Sequence, residues 1–398
     1  MKKTIRYKKW IFILLICISF FAIWIYAERP VILVFAEEIV ENNELYETIK
    51  EQIGALDLRD LQEYLHSLNA FSDQTVGERL IEYIKGVDFD YKSFGKEFLG
   101  LLFAKVWELF PAFACVAAVT LLSGIISTLK SNSVGATSSK MIFIITYAAA
   151  LIPLIGVLAE VFERSLASVA AMQKQMQLVF PLMLTLMSAS GSTVSVSVCR
   201  PAVAFFCTSI VSIIDAVVFP MTITIIVFSM AGKLTEDLKI SKFTAFFKSI
   251  NKWIIGVCVS VFGIFFTLQG ITCATYDGVV RRAAKYAIGN GIPIVGGFLS
   301  GGFDLAVAGG ILIKNSLGSM SIFLMLSVLF EPIAMLIAVN LLLRLISAIT
   351  QPFGDSKISD FLEETAENMH YCTAGLLFVG FLYFLTIMIM IFSTEALF

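Results

Sequence analysis

Charge is scarce in this chain. Lys, Arg, Asp and Glu make up 15% of its 398 residues, against about a quarter in an ordinary soluble domain. Hydrophobic residues make up 58%, and mean hydropathy is +0.86. Histidine is nearly missing: His66 and His370 are the only two, and neither completes a nucleophilic dyad with Ser190. Seven cysteines occur without a CxxC or any other metal-ligand spacing, so they read as small buried apolar residues and no metal is expected. No GxxxxGK[ST] loop is present to cradle a phosphate. A net charge of −2 offers no basic field to a nucleic acid. These absences exclude a soluble enzyme, a disordered tail protein and a nucleic-acid binder. They leave no catalytic residue to name, and no cofactor is expected.

The charge that is present is unevenly placed. Of 60 charged residues, 21 lie in residues 37–97 and only 32 in residues 98–398. The first nine residues carry Lys2, Lys3, Arg6, Lys8 and Lys9, an apolar run covers 10–27, and Val34-Phe35-Ala36 precedes Glu37. Residues 1–36 therefore read as a secretory signal peptide or, uncleaved, as an N-terminal anchor. Either way, residues 37–97 are delivered outside the cytoplasm as an acidic head of net charge −9. Its apolar residues recur at helical spacing: Leu45, Ile49, Ile53, Leu56, then Leu58, Leu61, Leu65, Leu68, then Leu80, Ile81, Ile84. Thr75 and Glu78 have the form of a capping box. The head thus reads as three short amphipathic helices, either a solvated cap or a docking surface for an extracytoplasmic partner.

Residues 98–398 read as a polytopic transmembrane body, which makes the fold class all-α. Stretches able to cross ~30 Å of hydrocarbon lie near 109–129, 141–161, 178–198, 202–231, 253–274, 292–313, 319–343 and 372–392, about eight candidate spans. Residues 94–107 look like an interfacial helix leading into the first. Asp215 and Pro220 suggest that 202–231 is a broken helix, and the glycines of 292–313 suggest a re-entrant segment. Five lysines in 233–252 and the group Arg281, Arg282 and Lys285 would lie in loops on opposite faces of one span, so the positive-inside rule leaves the orientation open.

Ionisable residues in membrane spans are costly and normally face protein or water. Here they are Asp215, Asp304, Glu331 and Arg344, with Asn340 nearby. At 100° per residue, Gly297, Gly301, Asp304 and Ala308 share one helix face, and Gly302, Ala306 and Gly310 another. Small residues on two faces let neighbouring backbones approach from two sides. Asp304 would then be wedged in an interface, as a site for an ion, proton or solute or as a hydrogen-bond anchor. Glu331 precedes Pro332, and its carboxyl could satisfy backbone groups freed by a kink. The run SASGSTVSVS at 188–197, with Ser188, Ser190 and Ser192, could line a polar path, although membrane hydroxyls more often bond back to a backbone. The pairing of Asp277 with GGFD at 301–304 fails the intramembrane aspartyl protease pattern, because Phe303 stands where glycine is required.

Four long segments carry a family resemblance: FPLMLTLMSASGSTVSVSVCRP at 180–201, FKSINKWIIGVCVSVFGIFFTLQG at 247–270, YDGVVRRAAKYAIGNGIPIVGGFLSGGFD at 276–304 and LLRLISAITQPFGD at 342–355. In these the chain resembles the stage III sporulation protein AE family of endospore-forming bacteria. The resemblance implies a non-enzymatic polytopic subunit of a mother-cell assembly, encoded with sister stage III sporulation A-operon membrane proteins. With a forespore membrane partner, that assembly forms a channel-like apparatus needed for late forespore development. The implied location is the mother-cell membrane around the forespore, with the head facing the intermembrane space. The competing reading is an independent secondary transporter for a small solute or ion, using Asp215, Asp304 and the hydroxyl run.

Overall fold

The computed structural model describes residues 43–67, 74–85, 91–130, 136–190, 196–197, 208–234, 240–291, 296–352 and 356–395. The signal or anchor segment expected at 1–36 lies outside them. Every regular element among the described residues is helical: α1 (Asn43–Ala55), α2 (Arg59–Ser67), α3 (Val76–Ile84), α4 (Tyr91–Lys130), α5 (Ala136–Ala189), α6 (Phe219–Leu234), α7 (Ser241–Gly291), α8 (Gly296–Thr350) and α9 (Ser356–Glu395). A π-helical turn, Ile214–Val218, leads into α6. Among the described residues, six helical stretches are long and apolar enough to cross a membrane: Gly95–Leu122, Phe143–Ala189, Thr208–Leu234, Ser241–Thr267, Leu305–Thr350 and Lys357–Phe392.

The all-helical membrane class therefore holds, with six such stretches in place of about eight. The expected spans 141–161 and 178–198 both start on α5, and the described part of 292–313 shares α8 with 319–343. Residues 162–177 contain neither Gly nor Pro and are mostly good helix formers, so nothing there turns the chain. Their charges lower the hydropathy and mimic a loop. The interfacial helix expected at 94–107 is continuous with α4, and Arg281, Arg282 and Lys285 extend α7 where a loop was expected. Residues 296–313 are simply the start of α8. The 208–234 stretch is not broken; it absorbs Asp215 and Pro220 through the π turn, in which the Phe219 N–H donates to the Ile214 carbonyl. At 1.5 Å per residue, the 54 residues of α5 and the 55 of α8 each run to roughly 80 Å, far beyond ~30 Å of hydrocarbon.

The chain divides into two compact units. One comprises Met1–Phe89, Thr185–Gly191 and Val280–Met320. Of the residues marked by helical spacing, its short helices bury Leu45, Ile49, Ile53, Leu61, Leu65, Leu80 and Ile84, leave Leu56, Leu58 and Ile81 half-buried, and add Tyr64 and Val76; Leu68 lies outside the described residues. The Thr75–Glu78 capping box is formed in both directions, at 3.3 and 2.9 Å. The Val76 N–H donates to Gln62 Oε1 at 2.6 Å, tying α3 to α2. Burial pushes the Tyr83 phenol up to about 12. An unfolded phenol ionises near pH ~10, so from there to about 12 the folded chain keeps a proton that the unfolded chain releases, and stability falls across that window. Tyrosinate absorbance of the chain minus that of a Tyr83→Phe variant should show one phenol ionising late; ionisation near pH ~10 would refute it.

In the same unit, Gln52 Nε2 of α1 donates to the Ala306 carbonyl of α8 at 2.9 Å. A Cβ at Gly309 would meet Gln52 Oε1 at 3.0 Å and Ile49 Cγ1 at 3.5 Å. Absence of a side chain there lets the head helix sit directly on the α8 backbone.

The second unit comprises Asp90–Leu184, Ser192–Val279 and Ser321–Phe398. Its core packs α5, α8 and α9 through Met172, Met176, Met183, Leu324, Met335, Leu343, Leu382 and Met390, all nearly inaccessible. Glycine on α9 admits its neighbours: a Cβ at Gly375 would meet Ile214 and Phe219, and one at Gly380 would meet Leu329 at 2.9 Å. Aromatic contacts Tyr147–Phe361 and Phe180–Tyr383 show that α5 and α9 run parallel. The α5 contacts Ser168–Val328 and Gln175–Leu324 show that α8 runs antiparallel to α5.

Candidate functional site: polar clusters inside the helical body

An apolar helix that carries a charge must bring it to a counter-charge, to water or to a free backbone group. The second unit does this in three places. The largest cluster joins α4, α5 and α8. Lys105, whose side chain is only 11% exposed, reaches Glu108 Oε2 at 2.9 Å and Glu331 Oε1 at 3.1 Å. Arg164 pairs with Glu160 at 2.9 Å one turn before it on α5 and also with Glu331. Glu331 therefore bridges cations from two helices.

A second cluster joins α6 and α9. Ser229 donates to Glu364, and Lys233 Nζ approaches Glu364 Oε1 at 3.2 Å and Asp360 Oδ2 at 4.0 Å. Beside it the Tyr147 hydroxyl donates to the Met230 carbonyl at 2.9 Å. The third joins α8 and α9: Arg344 Nε donates to Asn340 Oδ1 at 2.9 Å, Asn340 Nδ2 to the Ala366 carbonyl at 2.7 Å, and Arg344 Nη2 lies 3.2 Å from His370 Nε2.

The π turn has its own support. Thr222 Oγ1 donates to the Val218 carbonyl at 2.7 Å, and Asn251 Nδ2 of α7 donates to Thr222 Oγ1 at 2.9 Å. Asn251 is fully buried and its Oδ1 has no partner among the described residues. Gln175 is equally buried; its Nε2 donates to the Leu324 carbonyl at 3.3 Å while Oε1 has no partner among the described residues.

Of the residues singled out in the sequence, these clusters take in Glu331 and Arg344. Glu331 and Arg344 stand on the same helix but in separate clusters. Asp215 lies exposed on the π turn. Asp304 is helical within α8, as are Gly297, Gly301 and Gly302, and the Asp304 side chain lies outside the described residues. Ser188 is exposed, Ser190 is buried and donates back to the Leu186 carbonyl at 2.8 Å, and Ser192 lies outside the described residues. Ala306 accepts from Gln52, and a Cβ at Gly310 would stand 2.6 Å from Ser190 Oγ.

Lys105, Glu160, Arg164 and Glu364 flank apolar windows or lie between presumed spans, so hydropathy does not single them out. The i,i+3 spacing of Lys105 and Glu108 and the i,i+4 spacing of Glu160 and Arg164 were the available signals. Lys314, fully buried in α8, is a further charge that hydropathy alone conceals.

Chemically, the clusters hold helices together: each charge meets a counter-charge or a hydrogen-bond partner. Among the described residues no group of His, Cys, Asp and Glu could hold a metal ion. No solved structure matches the chain. The chain is 23% identical over 313 residues to the stage III sporulation protein AE of Bacillus subtilis (strain 168), covering 78% of each protein. The sequence profile of that family matches residues 76–394, which take in α3 and the whole helical body, and the chain belongs to the stage III sporulation protein AE family.

Proposed function

We propose that this multi-pass sporulation protein is a non-enzymatic subunit of a channel or secretion-like complex linking mother cell and forespore. In this reading it sits in the mother-cell membrane around the forespore, with its acidic head facing the intermembrane space. Its partners are the sister membrane proteins of the stage III sporulation A operon and a forespore membrane protein. Family membership carries the proposal. The polar clusters support it against an independent transporter: Glu331, Arg344, Lys233 and Glu364 are engaged with protein groups, as ties between helices would be. The exposed acidic residues of α1–α3 supply a charged surface for docking.

Affinity purification of the tagged chain from sporulating cells should recover the sister membrane proteins. Removal of residues 43–84 should lose them while the body still accumulates in the membrane. Unchanged recovery without the head would refute its docking role. Solute uptake by the purified chain alone in liposomes would overturn the subunit reading in favour of a transporter.

A further inference from the structure

Helices α7 and α9 run parallel and close to register in the second unit. Phe228 of α6 touches Phe243 at 6.0 Å and Phe247 at 5.6 Å on α7, while the adjacent Ser229 donates to Glu364 of α9. Further along, Phe262 of α7 meets Phe378 of α9 at 6.2 Å. The offset between the two helices hardly changes from 247/364 to 262/378. Lys242 therefore stands at the depth of Asp360, and Lys248 and Lys252 at the depth of residues 364–370.

Over this shared depth the two helices carry opposite charge. α7 has Lys242, Lys248 and Lys252 and no carboxylate before Asp277. α9 has Asp360, Glu363, Glu364 and Glu367 and no Lys or Arg after Lys357. Lys242, Lys252, Asp360 and Glu363 are exposed. Among the described residues no carboxylate pairs with the three α7 lysines, and the contact of Asp360 with Lys233 is a long 4.0 Å. At 100° per residue, Phe246 and Trp253 share a face with Lys242, and they are 58% and 70% exposed.

We propose that these are the two halves of a head-to-tail contact between copies of this chain: the basic, aromatic face of α7 docks on the acidic face of α9 in the next copy. A membrane gives every copy the same orientation and depth, so only surfaces at equal depth can meet side by side. Either face against itself would set like charges together, which disfavours that pairing. Unlike faces at one depth attract, and large aromatic side chains such as Trp253 are the usual anchors of such contacts. Because the two faces differ, the contact repeats from copy to copy and closes into a ring when the rotation permits. The inference needs only shared depth and opposite charge, and stands apart from the conduit reading.

Two full-length variants with different tags test it. One carries Lys242→Glu and Lys252→Glu, the other Asp360→Lys and Glu363→Lys. Differently tagged wild-type copies should purify together from detergent-solubilised membranes. Each variant alone should self-associate about tenfold less, because it presents like charge on both faces. Co-expressed, the two should recover association, since each then meets a complementary face; that recovery also shows both to be folded. Wild-type copies that do not purify together would overturn the proposal. So would variants that self-associate normally, or a mixture that fails to recover although both chains accumulate. If the lysine variant instead loses only its preference for phosphatidylglycerol vesicles over phosphatidylcholine vesicles, the α7 face binds lipid headgroups and the proposal fails.

Discussion

Gly380→Leu should prevent the second unit from packing and sharply reduce accumulation of the chain in membranes. At Gly380 a Cβ alone would lie 2.9 Å from Leu329 Cδ2 and 3.6 Å from Cδ1. The neighbouring side chains Val379, Leu382 and Tyr383 are fully buried, so a leucine has no empty space to enter. Overpacking of this kind costs typically 1–3 kcal/mol, and more when whole side chains collide; about 3 kcal/mol or more is expected here. The obstructing atom belongs to a side chain rather than to backbone, and that gives the test its specificity. Leu329→Ala in the Gly380→Leu background should restore much of the lost stability, although alone it should destabilise by leaving a cavity. Resistance to heat-induced aggregation in detergent measures both. A fully stable Gly380→Leu single variant would mean that α8 and α9 do not approach here.

Glu331→Leu should have the second-largest effect, and its sign should depend on what happens to Lys105. The Glu331 carboxylate is 46% exposed and Arg164 is 38% exposed, so solvent screens their pair. Lys105 is the buried member at 11% exposure. Removing Glu331 leaves it only Glu108, and Arg164 only Glu160. Stranding a buried charge completely costs about 3–5 kcal/mol; with one partner retained and partial solvent access, about 2 kcal/mol is expected. Lys105→Met together with Glu331→Leu should be more stable than Glu331→Leu alone, because the stranded ammonium is gone and an apolar pair replaces an ionic one. The same heat-aggregation assay reads this out. Equal stability of the single and double variants would show that Lys105 gains nothing from Glu331.

The membrane class was legible because it depends on composition, and hydrophobic content survives any error about where helices end. The short helices within residues 43–84 were legible for a similar reason. Leu45, Ile49, Ile53, Leu61, Leu65, Leu80 and Ile84 are buried as their spacing requires, and the Thr75–Glu78 cap is a purely local interaction. Span counting went astray at 162–177 and at 313–319, because hydropathy windows treat polarity as an end of helix. Backbone hydrogen bonds do not: a segment such as Glu163–Arg164–Ser165, without a helix breaker, stays helical whichever medium it faces. Pro153, Pro181 and Pro332 likewise sit inside helices that continue through them.

The polar residues divide along the same line. Sequence could say that Glu331 and Arg344 would seek partners, since an ionic group in an apolar setting has nowhere else to go. It could not say which partners. Lys105 and Arg164 lie more than 160 residues from Glu331, Glu364 lies far from Ser229, and nothing local links them. Sequence by itself thus determined that the body is helical and apolar, that residues 43–84 form short amphipathic helices, and that its few charges must be neutralised. Only the tertiary structure decided how many helices carry that body, which charge meets which, and that the basic turns of α7 and the acidic turns of α9 stand at one depth. Periodicity and composition act within a helix, whereas register between helices is set by residues such as Phe228, Gly380 and Tyr147 that meet their neighbours only once the chain has folded.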